Sequence, residues 1–402
     1  MIILPKSFLD VKKEMYEALG DKPMRTGIAR GMDSFVKSYD KVKDRSDVVQ
    51  LRTEVKSIKD EDVKRMEELY RQAMEALQAN GVPSYYANTK QDALDIVSKL
   101  VGAGKVVVKS KSMVSEEIGL RHYLQERGNE VWETDLGELI IQFRGEKPAH
   151  MISPALHVPR EAVAEIFKEK FGRTFDPNDL PAMVAAAREF LRTKLLNAQV
   201  GITGINAISA ADGTIVTVEN EANVRLTSSL PPMNIVVGGI EKVVPSTLDA
   251  VKTALLQGYY GGSPIPTYVN LSAGPSGTRD IEKTMVRPAQ GSKEMHVVLV
   301  NNGRLEALKT PLWDALRCIR CGACQLVCPT YSVDGPTWGG PTYTAAVGLL
   351  WTAITEGREA ADPLTYFCLE CDACNEICPV QINISGNIRW IKKEATTELL
   401  NK

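Results

Sequence analysis

The chain has 402 residues, 44% of them hydrophobic, and 48 Lys+Arg against 50 Asp+Glu give a formal net charge of -2. That length can fill one large core and a smaller one, and the balanced charge without a basic tail lacks the electrostatic footprint of a nucleic-acid binder. No stretch reads as a transmembrane span: the longest uncharged run, Thr253 to Thr278, is interrupted by Pro264, Pro266 and Pro275, while a span needs about 20 predominantly apolar residues.

Residues 1–81 read as a polar helical region. Its clearest helix carries Val63, Met66, Leu69, Tyr70, Ala73, Met74 and Leu77 as a stripe of 3.6-residue period, and Asn80-Gly81 is the expected stop. From 82 to 309 the texture changes to an α/β domain. Strands are expected at Lys105–Lys109, Glu130–Glu133, Leu139–Ile141, Thr214–Val218, Asn234–Val237 and His296–Val300, and helices at Gln91–Val101, Met113–Arg127, Arg160–Glu169, Leu180–Asn197 and Leu248–Leu256. Such alternation implies a mostly parallel sheet covered on both faces, with any site beyond the carboxyl ends of the strands.

Three loops of this domain are candidate ligand or docking elements. Lys109-Ser110-Lys111-Ser112 joins a strand to a helix, so its hydroxyls can cap the helix while its amides and lysines face an anion. Gly201–Asn206 is followed by the turn at Asp212-Gly213 and by Glu219, Asn220, Glu221, Asn223 and Arg225, which form either a binding rim or a solvated one. Ser272–Glu282 holds Ser276, Thr278, Arg279 and Asp280 among small residues whose amides could converge on an oxygen, or which make a structural turn. Neither G-x-x-x-x-G-K-[ST] nor G-x-G-x-x-G occurs in this domain, so ATP and NAD are not indicated. The four histidines, His122, His150, His157 and His296, read as structural or surface residues.

Residues 310–402 carry all eight cysteines in two blocks of one design. Cys318, Cys321, Cys324 and Cys328 precede Pro329; Cys368, Cys371, Cys374 and Cys378 precede Pro379. The C-x2-C-x2-C-x3-C-P run suits [4Fe–4S] clusters, the fourth cysteine of each run usually serving the other cluster. The expected sets are Cys318, Cys321, Cys324 with Cys378, and Cys368, Cys371, Cys374 with Cys328. A disulfide framework belongs to small secreted chains, and structural zinc usually separates two ligand pairs by a longer loop. The wide gap between the blocks holds an apolar helix around Leu349, which implies an α-helical two-cluster module rather than a compact ferredoxin. Free thiolates point to a reducing compartment, hence a cytoplasmic protein, with peripheral attachment to the inner face of a membrane through a partner left open.

The runs Val108–Met113, Glu133–Glu138, Gly201–Asn206, Asp212–Val216, Glu219–Glu221, Gly239–Pro245, Gly274–Glu282 and Ile319–Cys324 together resemble the iron–sulfur subunit of bacterial and archaeal lactate-utilisation systems. The resemblance covers about Gln50 to Ile384. It implies a LUD domain with the fold of ribose-phosphate isomerases and coenzyme A transferases, followed by an α-helical two-cluster ferredoxin. It further implies an electron-transfer subunit, itself non-catalytic, of a multisubunit oxidoreductase acting on lactate or another 2-hydroxy acid. Its partners would be a cysteine-rich subunit, another LUD protein or a flavin-dependent dehydrogenase. A relay in a different flavin-dependent or heterodisulfide-reductase-like complex is the alternative, and a LUD domain with its own small-carboxylate or acyl-transfer activity, through Glu219 or Glu221, is a second. The chain keeps Cys368 where many members have serine, and 24 residues follow Cys378 where many members continue well beyond it.

Overall fold

Valine- and isoleucine-rich runs supply the framework of the middle domain in a computed structural model, which describes residues 6–400, with side chains to residue 397. The described residues form ten strands: β1 Ser84–Ala87, β2 Val106–Lys109, β3 Glu130–Glu133, β4 Val200–Thr203, β5 Ala207–Ser209, β6 Ile215–Glu219, β7 Met233–Gly239, β8 Val243–Val244, β9 Tyr268–Ser272 and β10 Glu294–Val300. Six of them make an all-parallel sheet in the order β1-β10-β7-β4-β2-β3, and the other four make a mixed sheet in the order β8-β5-β6-β9.

Because side chains alternate along a strand, a buried parallel sheet feeds two cores. In β10, Val298 and Val300 join Val107, Ile202 and Ile235 under helices Lys90–Val101 and Leu120–Gln125, whereas Val297 and Leu299 face the large core shared with the N-terminal helices and the cysteine module. A third cluster, around Trp132, Phe143, Phe167, Phe171 and Phe190, belongs to helices Leu136–Arg144, Arg160–Phe171 and Leu180–Asn197.

The expected strand at Leu139–Ile141 is instead the middle of helix Leu136–Arg144. Asp135 caps it by accepting from the Glu138 amide at 3.1 Å, and Gly145 closes it at φ 68. The helix expected over Met113–Arg127 divides into Met113–Glu117 and Leu120–Gln125 at left-handed Gly119. The first half of the expected loop Gly201–Asn206 is the buried strand β4. Gly201 is required there because a Cβ would stand 1.8 Å from the Thr227 carbonyl oxygen.

The N-terminal helices meet the cysteine module. Helices Phe8–Ala18 and Lys22–Tyr39 lie on the C-terminal module, where Phe8 stacks on Phe367 with ring centroids 5.4 Å apart and Ile28 packs against Gly335. Within that module, helix Ala345–Thr355 is buried from Ala345 through Ile354, as its apolar sequence requires. Among the described residues no helix is long and apolar enough to cross a membrane.

Candidate functional site

The two cysteine blocks fold alike. In each, the residue before the second cysteine and the one after it take left-handed φ: Arg320 at 62° and Gly322 at 75° in the first, Glu370 at 54° and Asp372 at 63° in the second. Left-handed backbone is costly for residues with a Cβ, so its recurrence at matching positions marks a turn held for a purpose. It curls the chain around its own sulfurs, and the Arg320 amide donates to Cys318 Sγ at 3.4 Å. From beyond the last cysteine the Ile382 amide donates to Cys378 Sγ at 3.3 Å.

The blocks interleave into two small cages. Cys318, Cys321, Cys324 and Cys378 line one, with Ile319, Val347, Val380 and Ile382; Cys328, Cys368, Cys371 and Cys374 line the other, with Trp338 and Ala346. None of the eight is in a disulfide. Burial pushes Cys328 and Cys378 up to about 11 and Cys374 to about 12, so the anionic form needs cations among the sulfurs. Four iron ions per cage would supply them, and the residues fit two four-thiolate clusters. The cages differ in exposure: the first is buried between the two domains, whereas Cys371 and neighbouring Leu369 of the second are exposed.

A dense polar seam fixes the first cage to the α/β domain. His150, buried, accepts at Nδ1 from the Ile152 and Ser153 amides, so its Nε2 carries the proton donated to the Gly322 carbonyl at 3.0 Å. Gln325 accepts from the Met151 amide at 3.1 Å, and the hydroxyls of Tyr331 and Thr344 both donate to the Ala149 carbonyl at 2.7 Å. Behind them, Arg304 donates to Glu241 at 2.5 Å and bidentately to Glu117 at 2.9 Å, while Arg320 donates to the other Glu241 oxygen at 2.9 Å. The Arg320 guanidinium lies 3.2 Å over the Trp351 ring.

Beside the first cage lies a cavity of about 500 Å³ at the carboxyl ends of β2, β3, β4 and β7, the position expected for ligands of a parallel sheet. Ser110–Val114, Asp135, Gly204–Asn206 and Lys242 follow those strands into its wall; Thr217–Glu221, Gln257–Ser263, Met151–Leu156 and helix Lys22–Tyr39 complete it. Met151 lines both the cavity and the first cage.

The first two expected loops therefore converge, with different duties for their residues. Lys109 is fully buried and donates to Glu116 at 2.9 Å and Glu133 at 3.0 Å, away from the cavity lining. Ser110 and Lys111 reach the wall, and Lys111 donates to the Ile152 carbonyl and faces Asp135 at 3.6 Å. Glu219 accepts from the Val224 amide at 2.6 Å, the Arg225 amide at 3.2 Å and Asn270 at 2.9 Å, so it caps helix Asn223–Ser229. Asn220, Glu221 and Asn223 line the cavity, Asn220 and Glu221 being exposed, and Arg225 stacks on Tyr268 at 3.7 Å. The third loop lies elsewhere: Ser276, Thr278, Arg279 and Asp280 sit outside the cavity wall, where Thr278 pairs with Val286 in a small bridge. Lys242 and Arg320, which sequence reading did not single out, come from different domains and no local spacing marks them.

An α/β domain sealed onto a helical module with two four-thiol cages defines an iron–sulfur electron-transfer protein. Residues 70–300 match the LUD domain model and residues 314–382 the 4Fe-4S dicluster domain model. A protein of Escherichia coli (strain K12) named "Uncharacterized electron transport protein YkgF" is 33% identical over 381 residues, covering 94% of this chain and 78% of that protein. "Lactate utilization protein B 1" of Bacillus mycoides (strain KBAB4) is 34% identical over 378 residues, covering 92% and 76%. A crystal structure of a DUF162 family protein from Deinococcus radiodurans aligns at 12% identity with a TM-score of 0.33, covering 59% of this chain and 98% of that one. The chain belongs to the LUD-domain family, among the members that carry a 4Fe-4S dicluster domain. Its cofactors are two [4Fe–4S] clusters, and it is related to the lactate utilization proteins.

Proposed function

We propose that the chain relays single electrons inside a multisubunit oxidoreductase, taking them from a partner that oxidises lactate or another 2-hydroxy acid. The ligand sets in this reading are Cys318, Cys321, Cys324 with Cys378, and Cys368, Cys371, Cys374 with Cys328. The observation that carries it is the sorting of the eight thiols into two crossed groups of four around separate cages. A cluster accepts one electron at a time, whereas removal of a hydride needs a two-electron acceptor for which this sequence has no fingerprint. The hydroxyacid chemistry therefore belongs to a partner, such as a flavin-dependent dehydrogenase, a cysteine-rich subunit or a second LUD protein. The exposed edge of the second cage at Leu369 and Cys371 suits electron exchange with such a subunit, and the working compartment is the cytoplasm. Engagement of both Glu219 oxygens by backbone and Asn270 favours a structural role for that carboxylate over acyl transfer.

Anaerobically prepared protein should hold about eight irons, and Cys328→Ala should lower that to about four while sparing the cage of Cys318, Cys321 and Cys324. Loss confined to the first cage would refute the crossed sets. Lactate oxidation by the pure, flavin-free chain would refute the relay.

A further inference from the structure

The two cysteine blocks repeat each other in backbone but not in charge. Cys318-Ile319-Arg320-Cys321-Gly322-Ala323-Cys324 aligns with Cys368-Leu369-Glu370-Cys371-Asp372-Ala373-Cys374. Arg320 and Glu370 share the left-handed turn before the second cysteine, and Gly322 and Asp372 share the one after it. At matching places, therefore, the first cage has a cation and a neutral residue where the second has two carboxylates.

The surroundings preserve this difference. The buried Arg320 guanidinium reaches Glu241 through Nη2 alone, at 2.9 Å, a carboxylate it shares with Arg304, and its Nε and Nη1 make no hydrogen bond. Lys242, the residue after Glu241 and 7% exposed, has no salt bridge of its own among the described residues; the opposite charges that bear on it most are Glu241 and Cys318. At the second cage Glu370 meets Arg389 and Lys392 only at 3.8 Å. Asp372 accepts from Ser385 and Asn375, with no cation paired to it among the described residues.

Reduction adds one negative charge to a cluster, so a nearby cation favours it and a nearby carboxylate opposes it, more strongly in a buried site of low dielectric. Burial alone works the other way, because the reduced form carries the larger charge out of water. Without its cations the enclosed first cage would be the harder one to reduce. The cages also adjoin: Ala346 and Ser385 line the second, and their chain neighbours Val347 and Ile384 line the first.

We propose that Arg320 and Lys242 at one cage, with Glu370 and Asp372 at the other, set the first cluster at the higher potential, so that electrons enter at the exposed second cage and come to rest at the seam between the domains. One electron leaves the reduced second cluster, which is oxidised, and enters the oxidised first cluster, which is reduced; no bond or proton moves. The partner subunit of the relay reading is the one-electron donor. The inference rests on that reading and gives it a direction. Iron content and its loss in Cys328→Ala test the relay, whereas midpoint potentials test the direction, so the two failures are told apart.

Anaerobic full-length protein with both clusters is titrated with dithionite in the presence of mediator dyes while its paramagnetic resonance spectrum is followed. Two midpoints are expected, and the single midpoint of Cys328→Ala, which keeps the first cluster, should lie nearest the higher one. Arg320→Gln should lower that midpoint by at least about tenfold in the one-electron equilibrium, about 59 mV, and leave the lower midpoint in place. Arg320→Lys should retain most of the parent value at unchanged iron content, which separates charge from shape. Lys242→Gln should act in the same direction as Arg320→Gln, and Glu370→Gln should raise the lower midpoint by less, since an exposed charge is screened. Should Arg320→Gln lose iron, Lys242→Gln and Glu370→Gln decide the question by the same readout. Coincident midpoints in the parent, or a Cys328→Ala midpoint nearest the lower one, would overturn the proposal. So would a first-cluster midpoint that ignores both Arg320→Gln and Lys242→Gln, or one that Arg320→Lys shifts as far as Arg320→Gln does.

Discussion

Glu241 is a carboxylate on which guanidinium groups from both sides of the seam converge. Burial alone would raise it, yet Arg304 and Arg320 hold it down to about 2. A depressed carboxyl contributes stability that is present above its ordinary pKa of about 4.5 and is lost as pH falls through about 2. Glu241→Gln leaves two buried guanidinium groups short of charge and should cost about 3–5 kcal/mol, read from unfolding followed by cluster absorbance. Asp62 has the opposite sign. Burial lifts its carboxyl to about 6, and both its oxygens lack hydrogen bonds. A raised carboxyl favours folding below about 3.8 and loses that contribution as pH climbs through about 6. Asp62→Asn should therefore gain about 2–3 kcal/mol relative to the parent between pH 4 and pH 7, checked by unfolding midpoints at both pH values.

At the scale of elements, what was legible and what was not have separate physical causes. The cysteine blocks could be read because ligand spacing is a local, chemical signal. β2, β6, β7 and β10 could be read because each holds a run of β-branched residues between turns. Leu139-Ile-Ile141 misled because three apolar residues in a row fit a buried strand or one face of a helix equally well. The deciding signs were outside the run, in the Asp135 cap and the Gly145 stop. β4, β5, β8 and β9 are too short or too polar to stand out, and Gly201 in β4 answers a close approach made by a distant carbonyl. The apolar helix Ala345–Thr355 was visible, but its tightest contact was not: a Cβ on Gly348 would stand 2.2 Å from the Tyr343 carbonyl oxygen. Because that neighbour is backbone and cannot yield, Gly348→Ala should destabilise by about 1–3 kcal/mol, seen as a lowered thermal midpoint with earlier loss of cluster colour.

Across the whole molecule, the cages and the sheet follow from sequence, while their juxtaposition does not. Lys242, Arg320 and Met151 come from separate stretches, and only the packing of one domain on the other brings a cavity and a cage to either side of Met151. The helices at the start of the chain add a constraint of another kind. Phe8 finds its stacking partner in Phe367, and Ile28 packs on Gly335, both made long after the helices they cover. A ribosome adding about 5–20 residues per second leaves those first helices waiting roughly 20–70 s for the surface they cover. During synthesis Met24 and Ile28, which pack on Gly335, stay uncovered through that interval, so their helix remains sticky until then. It becomes inert only when the iron-binding module emerges and closes over it.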